Sequence, residues 1–139
     1  MDLNFKKISI IGLGLIGTSI LHAIKAKEED ELVTFAYDIN PKHRQIVSQM
    51  KIATFVCDDI ENTVSEADLV ILAVPVGSMK TVANLIAPFL RKNTIVTDTG
   101  STKRSVISDV NPYIPDNVYF IPSHPLAGTE YSGPKSGFS

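Results

Sequence analysis

The segment that most restricts the fold is an apolar run at residues 8–13 that leads straight into Gly12-Leu13-Gly14-Leu15-Ile16-Gly17. Ile16, Ile20 and Ile24 follow at four-residue spacing, the period of a helix face. A buried strand, a glycine turn and a helix in that order form the G-x-G-x-x-G fingerprint of dinucleotide sites. Gly12 permits the tight turn, Gly14 lets the backbone approach a pyrophosphate, and Gly17 lets helix and strand pack closely. The helix N-terminus offers free N–H groups and partial positive charge to phosphates.

The rest of the chain repeats this alternation. Strands are read at 33–37, 54–56 (a short edge), 69–74, 94–97 and 118–121. Helical spacing is carried by Met79, Val82, Ala83, Ile86 and Leu90, and by Val106, Ile107 and Val110. Asn40-Pro41 reads as a cap and first helical residue for a helix running to about Met50. Strands alternating with helices predict crossover units on a parallel sheet. Continuously apolar strands predict that both sheet faces are covered. The expected fold class is α/β, a doubly wound parallel sheet of Rossmann type over residues 1–139.

Asp38 follows the second strand at the fingerprint's spacing. A carboxylate there accepts hydrogen bonds from the adenosine ribose and repels a 2′-phosphate, so NAD is favoured over NADP. The competing role is a turn former before Asn40-Pro41, weakened because Asn40 already supplies the cap. His43 and Arg44 follow on the ribose side and leave NADP tolerance open. Val74 and Pro75 close the fourth strand, where ligands bind in such sheets, although proline is also a plain strand terminator.

Composition removes several function classes. The chain has 139 residues, 44% hydrophobic and 20% charged, with a formal net charge of −2. That size supports one core. Scattered basic residues give no patch for nucleic acid or an anionic membrane. The single cysteine, Cys57, permits no intrachain disulfide and reads as a buried thiol that suits a reducing compartment. No signal peptide is read, and no apolar run approaches the roughly 18 residues of a membrane span. A cytoplasmic location is expected. The three histidines are not at metal-ligand spacing, so no metal is expected. His22 and His43 are read as structural.

Two loops carry chemistry. Asp98-Thr99-Gly100-Ser101-Thr102-Lys103 leaves the fifth strand, with Ser101 a helix cap, an active-site hydroxyl or both. His124-Pro125 leaves the sixth. Proline restricts residue 124 to extended backbone, and a neutral imidazole can take a proton near pH 7. A lone histidine is more often structural.

Gly12 to Gly17, Asp98 to Lys103, and His124-Pro125-Leu126-Ala127-Gly128-Thr129-Glu130 with Ser132-Gly133 occur in one order that resembles the prephenate dehydrogenase family. That family includes the arogenate and cyclohexadienyl dehydrogenases. The resemblance covers essentially the whole chain, and the histidine-centred loop is its most specific part. It implies an NAD-dependent oxidative decarboxylation of prephenate to 4-hydroxyphenylpyruvate in tyrosine biosynthesis. His124 would take the ring hydroxyl's proton and Ser101 would orient it. Thr129 and Glu130 would line the substrate side. Gly12, Gly14, Leu15, Ile16, Gly17, Asp38, Val74 and Pro75 would hold the cofactor. The resemblance also implies a C-terminal helical domain that dimerises and supplies an arginine for the substrate carboxylate. The sequence stops at Ser139 without it, so these residues are expected to fold and bind NAD with little or no prephenate activity alone. Competing readings are a related hydroxy-acid or imine oxidoreductase, of the 3-hydroxyisobutyrate dehydrogenase or pyrroline-carboxylate reductase types, and a non-catalytic NAD-binding module.

Overall fold

The computed structural model describes residues 5–27, 31–99 and 103–122, without the side chains of 103–106. Six strands form one sheet: β1 (Lys7–Ile11), β2 (Val33–Tyr37), β3 (Phe55–Val56), β4 (Leu69–Leu72), β5 (Ile95–Asp98) and β6 (Tyr119–Phe120). Their order is β3-β2-β1-β4-β5-β6, and every pairing is parallel. Five helices connect them: α1 (Leu15–Ala26), α2 (Pro41–Met50), α3 (Ile60–Val64), α4 (Met79–Ile86) and α5 (Lys103–Val110). The doubly wound fold expected from the sequence is the fold observed. No helix among the described residues is long and apolar enough to cross a membrane.

The core lies in two layers, one on each sheet face. Ile8 and Ile10 of β1 and Ile71 of β4 pack with Ile20, Leu21 and Val47. Ile11, Val70 and Leu72 point the other way and pack with Val64, Met79, Ile86, Val96 and Val110. Adjacent residues on one strand are thus buried on opposite faces, which is why β1 and β4 read as unbroken apolar runs.

Strand ends differ from the sequence reading. β1 stops at Ile11, because Gly12 turns to a φ of +106°. β4 stops at Leu72, two residues early, and β5 runs one residue later than read, to Asp98. α3 is absent from the sequence reading, since five residues make barely one turn and show no periodicity. Its signal is the cap: Asp59 Oδ1 accepts from Asn62 N at 2.7 Å. Thr63 and Val64 are buried, and the Ser9 hydroxyl of β1 donates to the Thr63 carbonyl. Ile16 also departs from the expected buried helix face. That face is Gly17, Ile20 and Leu21, and Ile16 is 53% exposed.

At the amino end of the sheet Asp68 braces the start of β1. Its Oδ2 accepts from the N–H groups of Lys6 and Lys7, both at 2.9 Å, and its Oδ1 meets Arg91 at 3.1 Å. The opposite, carboxyl end carries the glycine turn.

Candidate dinucleotide site

β1 pairs with β2 on one side and β4 on the other, so chain direction diverges beside it and the carboxyl ends open a crevice. Three neighbouring strand ends supply the wall: Asp38 after β2, the glycine turn after β1, and Val74-Pro75 after β4.

The three glycines differ physically. A Cβ on Gly12 would lie 2.5 Å from the Ala73 carbonyl oxygen, in a backbone conformation side chains disfavour. A Cβ on Gly17 would lie 1.8 Å from the Gly12 carbonyl oxygen. A Cβ on Gly14 would meet nothing within 4 Å. Gly12 and Gly17 are therefore required by the protein's own packing. Gly14 faces open space at the N-terminus of α1, where no side chain caps the helix and no acidic residue occupies the first turn. Uncapped N–H groups beside an open surface suit a pyrophosphate.

Asp38 holds two strand ends together. Oδ2 accepts from Leu13 N at 2.7 Å, and Oδ1 accepts from Asn40 N at 2.8 Å. His43 Nδ1 lies 3.2 Å from Oδ2. Arg44 Nη1 donates to the Asp38 carbonyl at 2.8 Å, with its guanidinium 5.6 Å over the Tyr37 ring. Asn40 caps α2 as expected, its Oδ1 accepting from Lys42 N at 2.9 Å. Asp38 is a turn former as well, so the two roles weighed from sequence coexist. An ionised carboxylate has about four acceptor positions, which leaves room beside these partners for a ribose hydroxyl.

Burial works to raise the Asp38 pKa. The N–H groups of Leu13 and Asn40, with His43, outweigh it and hold the carboxyl below its ordinary value. The stabilisation linked to this shift is complete above the ordinary carboxylate pKa of about 3.9 and is lost as pH falls through the lower folded value. Asp38→Ala leaves two backbone donors without acceptors and is expected to cost about 1–3 kcal/mol at pH 7. The difference from wild type should shrink below about pH 4, where the wild-type carboxylate is itself being protonated. Urea titrations at pH 7 and pH 3 check both; an equal difference at the two values would contradict this account.

The site also exposes apolar surface. Leu15 is 85% exposed at the start of α1, and Ile39, next to Asp38, is 83% exposed. Sequence reading did not single out Ile39; its signal was an apolar residue outside any periodic element. Val74 is half-buried against the core and Pro75 opens a 3-10 turn. Cys57, read as buried, is half-buried; burial is the main influence pushing its thiol pKa up.

The structure thus brings together Gly12, Gly14, Leu15, Ile16, Gly17, Asp38, Val74 and Pro75 at one sheet edge. Ser101, His124, Thr129 and Glu130 lie outside the described residues, as does the side chain of Lys103. Asp98 ends β5 fully buried, and β6 delivers the chain to the same carboxyl edge.

Comparison with known proteins agrees with this geometry. Residues 21–139 match the family described as prephenate dehydrogenase, nucleotide-binding domain. The cyclohexadienyl dehydrogenase of Zymomonas mobilis is 47% identical over 135 residues, 97% of this chain and 45% of that protein. The prephenate dehydrogenase of Lactococcus lactis is 35% identical over 133 residues, covering 92% and 36%. The chain therefore spans less than half the length of these relatives. Prephenate dehydrogenase from Aquifex aeolicus, solved with hydroxyphenyl propionate and NAD+, superposes with a TM-score of 0.77 at 27% identity, over 96% of this chain and 46% of that one. A 3-hydroxyisobutyrate dehydrogenase shares the fold at 16% identity, so the fold alone does not separate these enzymes. By sequence match across most of its length, the chain belongs to the prephenate dehydrogenase family, as that family's nucleotide-binding domain.

Proposed function

We propose that this domain binds NAD and is the cofactor half of an enzyme that oxidatively decarboxylates prephenate or a close cyclohexadienyl relative. The observation that carries the reading is the open space at Gly14, beside uncapped N–H groups and on one edge with Asp38. When bound, the nicotinamide supplies a hydride acceptor. The residues of the chain do the rest. The backbone of the glycine turn binds the pyrophosphate, and Asp38 accepts from the adenosine ribose. Val74 and Pro75 close the β4 side.

His124 takes the proton of the ring hydroxyl as that carbon is oxidised, Ser101 orients the imidazole, and Thr129 and Glu130 meet the substrate. The substrate carboxylate is then lost as carbon dioxide while the ring becomes aromatic. These four roles follow from the family motif. The relatives support them as dehydrogenases of this substrate group, and the Aquifex enzyme supports the cofactor through its bound NAD+.

Calorimetric titration of the 139-residue chain with NAD tests the reading. Saturable binding is expected, with a dissociation constant between about 1 μM and 1 mM, the usual range for enzyme ligands. Prephenate turnover is expected only from a longer protein that joins this domain to a substrate-binding half. Absence of saturable NAD binding would overturn the cofactor assignment, and ordinary turnover by the chain alone would overturn the division of labour.

A further inference from the structure

The surroundings of Asp38 carry more positive charge than an NAD ribose needs. Its Oδ2 lies 3.2 Å from His43 Nδ1, and Arg44 Nη1 is anchored 2.8 Å from the Asp38 carbonyl oxygen. Arg44 does not depend on the Asp38 carboxylate for its position. It is held by a backbone carbonyl and by the Tyr37 ring, 5.6 Å below it. The other anion facing Arg44 is Asp58, 3.8 Å from Nε, and it is almost fully exposed, so it neutralises the guanidinium weakly.

We propose that His43 and Arg44 form a preassembled cradle for a ribose 2′-phosphate, masked by the single carboxylate of Asp38. This inference rests on the dinucleotide reading and makes a statement about cofactor choice that the reading does not contain. In the native chain the Asp38 carboxylate occupies the position a 2′-phosphate needs and repels its charge of about −1.5 to −2. Removing only that charge leaves a guanidinium fixed beside the vacated position and an imidazole that has lost its carboxylate partner. Both groups donate well to phosphate, and arginine can do so bidentately. Discrimination against NADP is thus concentrated in one residue rather than spread over the pocket.

The test measures binding rather than turnover, using NAD, NADP and 2′,5′-ADP with the whole chain. Asp38→Asn is the main variant, because its amide oxygen can still accept a backbone N–H and preserve the turn. Asp38→Ser is the second variant. Thermal melts of each establish that it is folded. NADP and 2′,5′-ADP are expected to bind the wild type at least about tenfold more weakly than the Asn variant, a gain reduced by salt. Adding Arg44→Leu should abolish the gain without further loss of NAD affinity, and Arg44→Lys should restore part of it.

Unchanged NADP affinity in both folded Asp38 variants would overturn the proposal. So would a gain that survives Arg44→Leu. A wild-type chain that binds neither NAD nor NADP would instead refute the underlying dinucleotide reading, so the two failures are distinguishable.

Discussion

Replacing Gly17 with alanine is expected to cost the chain its fold, whereas alanine at Gly14 leaves it folded and removes most of its affinity for NAD. The added methyl at Gly17 would sit 1.8 Å from the Gly12 carbonyl oxygen, a backbone atom that cannot swing aside. Relief requires α1 to move off β1, which opens the packing of Ile20 and Leu21 against Ile8 and Ile10. Overpacking of a core costs about 1–3 kcal/mol when side chains can adjust, and more when backbone must. Alanine's helix-propensity advantage over glycine, about 1 kcal/mol, does not offset it.

At Gly14 the backbone has a φ of −80° and a ψ of −156°, which alanine adopts freely, and the methyl meets no protein atom within 4 Å. Stability there should stay within about 1 kcal/mol of wild type, since reduced unfolded-state entropy offsets a poorer cap. The same methyl, however, stands where a pyrophosphate must approach the backbone. Circular-dichroism melts of both variants and NAD titration of Gly14→Ala separate the two effects. A Gly17→Ala chain that melts like wild type, or a Gly14→Ala chain with wild-type affinity, would contradict this division of roles.

His124→Asn is expected to lower turnover by about 10²–10⁴-fold in a longer, active protein carrying this domain, the usual contribution of a positioned general base. NAD affinity should be unchanged, because no residue placed at the glycine turn or beside Asp38 is altered. The sign of the pH dependence adds a second check. A base must be deprotonated to act, so wild-type turnover should fall on the acid side, around the ordinary imidazole pKa of about 6.5. Asparagine keeps a polar group of similar reach but cannot take the proton, so the residual activity should lose that acid limb. Retained turnover, or an unchanged limb in the variant, would rule out His124 as the base.

Much of the fold was legible from local patterns. Four-residue spacing in α1 and α4 and the Asn40-Pro41 start of α2 are relations between residues a few positions apart. They survive in any tertiary context that buries one face of the helix. The parallel order followed from strand–helix alternation, and it placed the three strand-end motifs on one edge before any coordinate was known. What escaped was either too short to show a period, as in α3, or dependent on where a strand stops. β4 ends at Leu72 and β5 at Asp98 because of their mutual register, which no residue in either strand encodes alone.

The sequence by itself determined that a dinucleotide site lies at this sheet edge, and the family motif named His124 as the candidate base. Only the tertiary structure decided what each site residue does for the protein. It separated Gly17, needed for packing, from Gly14, left free for a ligand. It turned Asp38 from a ribose acceptor into a tie that binds Leu13, 25 positions away, and holds His43 alongside. The physical reason is range. Periodicity and spacing record which neighbours along the chain share a face. Carbonyl clearances and carboxylate partners are set by how separate elements meet across the sheet.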